Sequence, residues 1–166
     1  MYYAQIRKYD IANGPGIRCS LFVSGCTHRC KGCFNEDYRN FRYGNEWNSE
    51  IEDKFMEMIQ NSQVKGVTFL GGEPMDQMHD DVLLNLIKRI KNETKKNIWV
   101  YSGYTYEQIM KHEKRKKILS FCDVLVDGLF VLEKKDLKLK FRGSSNQRII
   151  DVQASLIGDE VQLLEI

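Results

Sequence analysis

Apolar and polar positions along this chain fall into blocks that alternate between two periods. The stretch "IRCSLFVS", 17–24, is mostly apolar and predicts a buried strand. In "SEIEDKFMEMIQ", Ser49 followed by Glu52 has capping-box spacing, and Ile51, Phe55, Met58 and Ile59 share one helical face. "GVTFL", 66–70, predicts a second strand that ends at "GGEP". Val82, Leu83, Leu86, Ile87 and Ile90 mark the next helix, and "NIWVY", 97–101, a third strand closed by "SGY". Thr105 and Gln108 open another helix, which ends in the charged run "KHEKRKK". "DVLVD", 123–127, is a fourth strand, and "RIIDVQASLI" and "EVQLLEI" read as strands joined at Gly158.

This alternation predicts an α/β fold with a mostly parallel sheet. A closed eight-unit barrel needs ~250 residues, and the chain holds about half the units. The expectation is therefore an incomplete, open β/α barrel formed by a single domain, residues 1–166. Its functional groups would stand at the C-terminal ends of the strands. The loop "GCTHRCKGCF", then "GGEP", "SGY" and "DG" all follow strands, so all four would lie on one rim.

Composition changes this picture little. Hydrophobic residues make up 42% and charged residues 29%, an ordinary globular balance, and the net charge of +2 gives no argument for nucleic acid. No apolar run reaches the roughly 18 residues that a membrane span requires. The start, "MYYAQIRKYD", does not have the pattern of a secretory signal, so a cytoplasmic protein is expected.

Cysteine usage is more informative. Cys26, Cys30 and Cys33 are clustered, whereas Cys19 and Cys122 stand apart and read as buried thiols. Clustering of this kind points to metal or redox chemistry rather than disulfides. Thiolates at C-x3-C-x2-C spacing can converge on one iron–sulfur cluster. In a [4Fe–4S] cubane, three cysteines leave one iron without a protein ligand, free for a small molecule. A structural zinc site closed by His28 or Cys122 is the alternative. In "FLGGEP", the glycines permit close backbone approach and Glu73 can accept hydrogen bonds from an ammonium group; a plain strand-to-helix turn would read the same way.

The cysteine spacing followed by Phe34 resembles the signature of radical S-adenosylmethionine enzymes. That resemblance implies one [4Fe–4S] cluster on Cys26, Cys30 and Cys33, with S-adenosylmethionine chelating the open iron. It implies cofactor contacts from Gly32, Cys33 and Phe34, and from Gly71, Gly72 and Glu73 on the methionine amino group. Asp127 would contact the cofactor or serve as a turn residue. "NGPGIRCSLFVSGCTHRCKGCFN", 13–35, is similar to the activases of glycyl-radical enzymes. "VLVDGLF", 124–130, and "FRGSSNQRIID", 141–151, resemble the compact activases that serve anaerobic ribonucleoside-triphosphate reductases. Some relatives carry Lys after "DG", where this chain has Leu129.

The implied activity is reductive cleavage of S-adenosylmethionine to a 5′-deoxyadenosyl radical, which takes a hydrogen atom from a glycine of the large reductase subunit. The chemistry would be borne by the cofactors, with no catalytic side chain. The implied partners are that glycyl-radical subunit, entering through the barrel's lateral opening, and a low-potential electron donor such as flavodoxin or ferredoxin. An activase of the pyruvate formate-lyase type and a non-catalytic zinc-binding module are the other readings.

Elsewhere, Arg142, Ser144, Ser145, Asn146 and Arg148 form a polar strip that could touch cofactor or partner, or be a solvated loop. "DYRNFRY", 37–43, could shield the cluster or meet the partner. Trp47 and Trp99 read as packing residues, and His79 and His112 as solvated helix residues. The "KHEKRKK" run reads as a polar helix face.

Overall fold

A computed structural model describes the whole chain, residues 1–166. The four apolar runs form strands β2 (Arg18–Val23), β4 (Gly66–Gly71), β5 (Asn97–Tyr101) and β6 (Val124–Asp127). All four run parallel, with Val23 opposite Gly71, Thr68 opposite Trp99 and Tyr101 opposite Val126. Strand β1 (Tyr2–Asp10) pairs antiparallel with β2, and the short β3 (Asn45–Glu46) pairs antiparallel with β1. Strand β7 (Arg148–Asp151) pairs antiparallel with β6. The sheet is mixed, seven-stranded and not closed, in the order β3-β1-β2-β4-β5-β6-β7.

Helices α1 (Ser49–Ile59) and α2 (Val82–Glu93) cover one face of the sheet. Phe55 and Ile59 of α1 and Leu83, Leu86, Ile87 and Ile90 of α2 join Leu21, Phe69, Val100 and Leu125 in one buried core. The alternate strand positions turn to the opposite face. There Trp99, Val124 and Val126 form a smaller cluster, and Arg18 and Ser20 are buried with it. Arg18 donates to Thr68 Oγ1 at 2.7 Å, Asn97 Oδ1 at 2.7 Å, Val67 O at 3.0 Å and Pro15 O at 3.2 Å. It thereby stitches the "NGPG" loop onto three strands.

Several elements differ from the sequence-based expectation. Strand β1 carries no strong apolar pattern because only two of its nine residues are buried. The α1 cap is Asn48, whose side chain accepts from Ile51 N; Ser49 is already the first helical residue. Thr105 and Gln108 do form a capping box, opening α3 (Tyr106–Met110). The charged run does not merely end that helix. After a break at Lys111 it starts α4 (Glu113–Ser120), with His112 as the cap. "RIIDVQASLI" is one strand followed by α5 (Val152–Gly158), because Asp151 accepts from Ala154 N and starts a helix. "EVQLLEI" contributes only a bridge from Leu163 to Ile150.

Candidate active site

Because β2, β4, β5 and β6 are parallel, the loops that follow them emerge on one rim. The cysteine loop is braced from behind by residues 36–43. Gly25 N donates to Tyr38 O at 2.8 Å, Cys26 N to Arg39 O at 3.1 Å, and Arg39 Nη2 to Cys30 O at 2.8 Å. Tyr38 in turn meets the rings of Phe22 and Tyr43. The "DYRNFRY" segment is thus a scaffold for the loop.

Cys26, Cys30 and Cys33 line one cavity of about 490 Å³, together with Phe34, the 71–73 turn and Arg142. Burial pushes the Cys26 thiol up to about 12, helped by the charges of Glu73 and Asp76. Burial also raises Cys30. Cys33 Sγ accepts a hydrogen bond from Asn35 N at 3.4 Å. Thiols in such a wall bind metal by losing their protons, so a group that takes them must supply strong positive charge. No three His, Cys, Asp or Glu side chains converge closely enough to hold a single metal ion. Three cysteine thiols on one wall are the donor type that iron–sulfur clusters take. Neither proposed zinc closure is formed: His28 is bonded to Glu73, and Cys122 is fully buried with its thiol on Ile118 O.

The turn after β4 presses against the cysteine loop. Gly72 N donates to Val23 O at 2.7 Å and Glu73 N to Gly25 O at 2.8 Å. A Cβ on Gly72 would stand 2.6 Å from Gly25 O and 2.8 Å from Tyr38 O, so the close approach requires glycine here. Glu73 is 1% exposed and accepts three hydrogen bonds: His28 Nε2 at 2.7 Å, Gly103 N at 2.7 Å and Met75 N at 2.9 Å. The hydrogen bond to Glu73 raises the His28 pKa against the effect of burial. Beside it, Asp76 accepts from Thr27 N and Thr27 Oγ1, both at 2.9 Å, from Tyr104 OH at 2.7 Å and from Arg115 Nη2 at 3.2 Å. Arg115 belongs to the charged run that reads as an ordinary polar face, and nothing local in the sequence marks it.

The loop after β6 is organised around a different ion pair. Val126 and Gly128 line the cavity, but the Asp127 carboxylate turns toward the start of α3. It accepts Tyr106 N at 2.7 Å, Arg148 Nη2 at 2.6 Å and Arg148 Nε at 3.0 Å, and it is 1% exposed. The polar strip largely ties its own loop together. Asn146 Nδ2 donates to Leu129 O and Ser144 Oγ accepts from Val131 N. Arg142 bonds Ser145 O and Gln147 O. Gln147, which the sequence reading passes over, accepts from Gly143 N and Ser144 N and donates to Gly128 O. Phe34 stands at the cavity mouth, 60% exposed, with its ring 4.8 Å from Phe130 and the Lys135 ammonium 5.2 Å above it. Gly32 lies against Leu132. Cys19, Trp47 and Trp99 are buried, His79 is exposed, and His112 accepts from Arg115 N as the α4 cap. No helix is long and apolar enough to cross a membrane.

Residues 12–150 match the family model described as a 4Fe-4S single cluster domain. The chain is also similar to curated proteins named anaerobic ribonucleoside-triphosphate reductase-activating protein. It is 40% identical to the one from Vibrio cholerae over 152 residues, covering 90% of this chain and 97% of the relative. It is 40% identical to that of Pasteurella multocida, with 90% and 96% covered. It is 35% identical to that of Enterobacteria phage T4, with 90% and 93% covered.

Proposed function

The chain belongs to the family of anaerobic ribonucleoside-triphosphate reductase-activating proteins, and from that premise we propose that it installs a glycyl radical in the large subunit of such a reductase. The observation that carries this reading is one shared wall. Three thiols of a single loop, the Phe34 ring and the 71–73 turn border the same cavity at the C-terminal ends of parallel strands. Cys26, Cys30 and Cys33 would hold a [4Fe–4S] cluster. When bound, that cluster supplies the electron for reductive cleavage of S-adenosylmethionine to methionine and a 5′-deoxyadenosyl radical, which takes a hydrogen atom from the partner's glycine.

The chain's own residues bind, orient and exclude. Cys33 and Phe34, which line the cavity, would border the adenine end of S-adenosylmethionine, with Gly32 next to them in the chain, against Leu132. Gly71 and Gly72 would receive the methionine end. Glu73 Oε1 already accepts two donors, but Oε2 accepts only Met75 N, so it retains a lone pair for an ammonium group. For Asp127 the geometry supports positioning rather than contact, since both of its oxygens are engaged by Arg148 and Tyr106.

The unclosed sheet supports reading the fold as an open, incomplete barrel whose lateral gap admits the partner's glycine loop. Crosslinks to the partner confined to the helix-covered face would contradict that entry route. A low-potential carrier of the flavodoxin or ferredoxin type would deliver the electron, and the protein would work in the cytoplasm.

The direct test mixes the anaerobically reconstituted chain with the large reductase subunit, S-adenosylmethionine and a strong reductant. A glycyl-radical signal on the reductase, with 5′-deoxyadenosine formed in step, is expected. Cofactor cleavage without a reductase radical would reassign the partner. Neither product, from a chain loaded with four irons, would overturn the reading.

A further inference from the structure

The interval between the first two cysteines contains three residues, Thr27, His28 and Arg29, and each is tied down. Thr27 bonds Asp76 through both its backbone N and its hydroxyl, and His28 bonds Glu73. Arg29 folds back onto Cys26 O and His28 O. Glu73 and Asp76 both belong to the turn that follows β4. The side chains of residues 27 and 28 are thus anchored on a neighbouring strand end, and the flanking thiols of Cys26 and Cys30 are left on the cavity wall.

The seat for His28 is built from several sides. Its ring lies edge-on to Tyr104, with centroids 4.5 Å apart, and Nε2 reaches the same Glu73 oxygen as Gly103 N. A Cβ on Gly103 would stand 2.7 Å from both His28 Cδ2 and Nε2, so the residue after Ser102 must be small for the imidazole to fit. The Tyr104 hydroxyl that closes this seat is held by Asp76 and Arg115. A buried carboxylate, a glycine-sized gap and an aromatic wall, drawn from two different strand ends, are all fitted to one imidazole.

We propose that His28 is a positioning residue for the cysteine loop: through Glu73, in the gap left by Gly103, it clamps the Cys26–Cys30 interval onto the turns after β4 and β5. As a statement about cluster binding, this rests on the functional reading above. As a statement about the loop, it stands on the geometry alone. The clamp gives the Glu73 carboxylate a task apart from any ligand contact, with Oε1 holding the loop.

Four versions of the chain test it: native, His28→Phe, which keeps a ring without a donor, His28→Gln, which restores a donor, and Gly103→Ala, which crowds the seat but leaves His28 intact. In the metal-free chain under reducing, anaerobic conditions, iodoacetamide labelling is followed at each cysteine by mass spectrometry. His28→Phe and Gly103→Ala should raise the rates at Cys26 and Cys30 about fivefold or more, as expected when a local contact that holds a loop closed is lost. Cys19 and Cys122 should not change, and His28→Gln should recover part of the protection. After reconstitution, iron loss to a chelator should accelerate in the same order. Labelling rates in both His28→Phe and Gly103→Ala within about twofold of the native chain would overturn the clamp. A native chain that labels as expected but takes up no iron would sink the cluster reading and leave the clamp standing. If His28→Phe does not fold, Gly103→Ala decides the matter.

Discussion

Replacing Arg148 with Met separates a structural Asp127 from one reserved for a ligand. The native pair is bidentate, with Arg148 Nε 3.0 Å from Oδ1 and Nη2 2.6 Å from Oδ2 of an aspartate that is 1% exposed. Only Tyr106 N, at 2.7 Å, would remain on that carboxylate. Removing one partner of a buried pair costs about 3–5 kcal/mol. Arg148 is itself 33% exposed and shared with Glu107, so water can partly follow, which puts the cost near ~3 kcal/mol. For a chain of this size each kcal/mol moves Tm by about 2–4 °C, so the midpoint of the metal-free protein should fall by about 6–12 °C. Adding Asp127→Asn removes the stranded charge. The double variant should therefore be more stable than the sum of the single losses, by about 1–3 kcal/mol of coupling. Thermal melts and urea curves on all four versions close the cycle. Additive losses, or a fall in Tm of less than about 2 °C for Arg148→Met, would refute the structural assignment.

Other parts of the molecule give equally definite expectations. Gly72→Ala forces a methyl against the carbonyls of Gly25 and Tyr38, and should cost about 1–3 kcal/mol and lower iron uptake; native uptake and an unchanged melt would show that the two turns can separate freely. Ala at Cys26, Cys30 or Cys33 should abolish the four-iron cluster, whereas Cys122→Ala should keep it and lose about 1 kcal/mol of stability from a small cavity, readable by iron analysis and urea midpoint. Although burial alone would raise it, the Asp10 pKa is lowered by hydrogen bonds from Ser20, Asn13 and Ala12 N and by the charge of Arg7. Its stabilisation is therefore complete above the unfolded value of 3.8 and lost as pH falls through the lower folded value, so Asp10→Asn should flatten the acid limb of a urea-midpoint profile, and an unaltered limb would contradict the assignment.

Much of this could be read from the sequence because local pattern and global role coincide. The continuous apolar runs of β2, β4, β5 and β6 are buried on both sides, which parallel strands demand. The 3.6-residue spacing of Leu83, Leu86, Ile87 and Ile90 marks α2 directly. The cysteine loop announces itself by residue type and spacing. What stayed hidden is of two kinds. Strand β1 is antiparallel and partly solvated, so its pattern is diluted; and after the "RIID" strand, which the sequence does show, Asp151 starts a helix inside what reads as one apolar run. The other kind is long-range pairing. Arg115 reaches Asp76 and Met75 O some forty positions back, and His28 finds Glu73 at a separation of 45. No local window contains both partners, so a charged run reads as a solvated face and a loop histidine as a spare ligand.

The proposed activity requires that three thiols of one loop hold a cluster with an open iron. The most direct measurement is the electron paramagnetic resonance spectrum of the reduced, reconstituted chain, recorded with and without S-adenosylmethionine. A reduced-cluster signal that changes when the cofactor is added is the predicted result. A silent sample carrying a single zinc, or a cluster signal indifferent to the cofactor, would contradict an open-iron cluster on these cysteines.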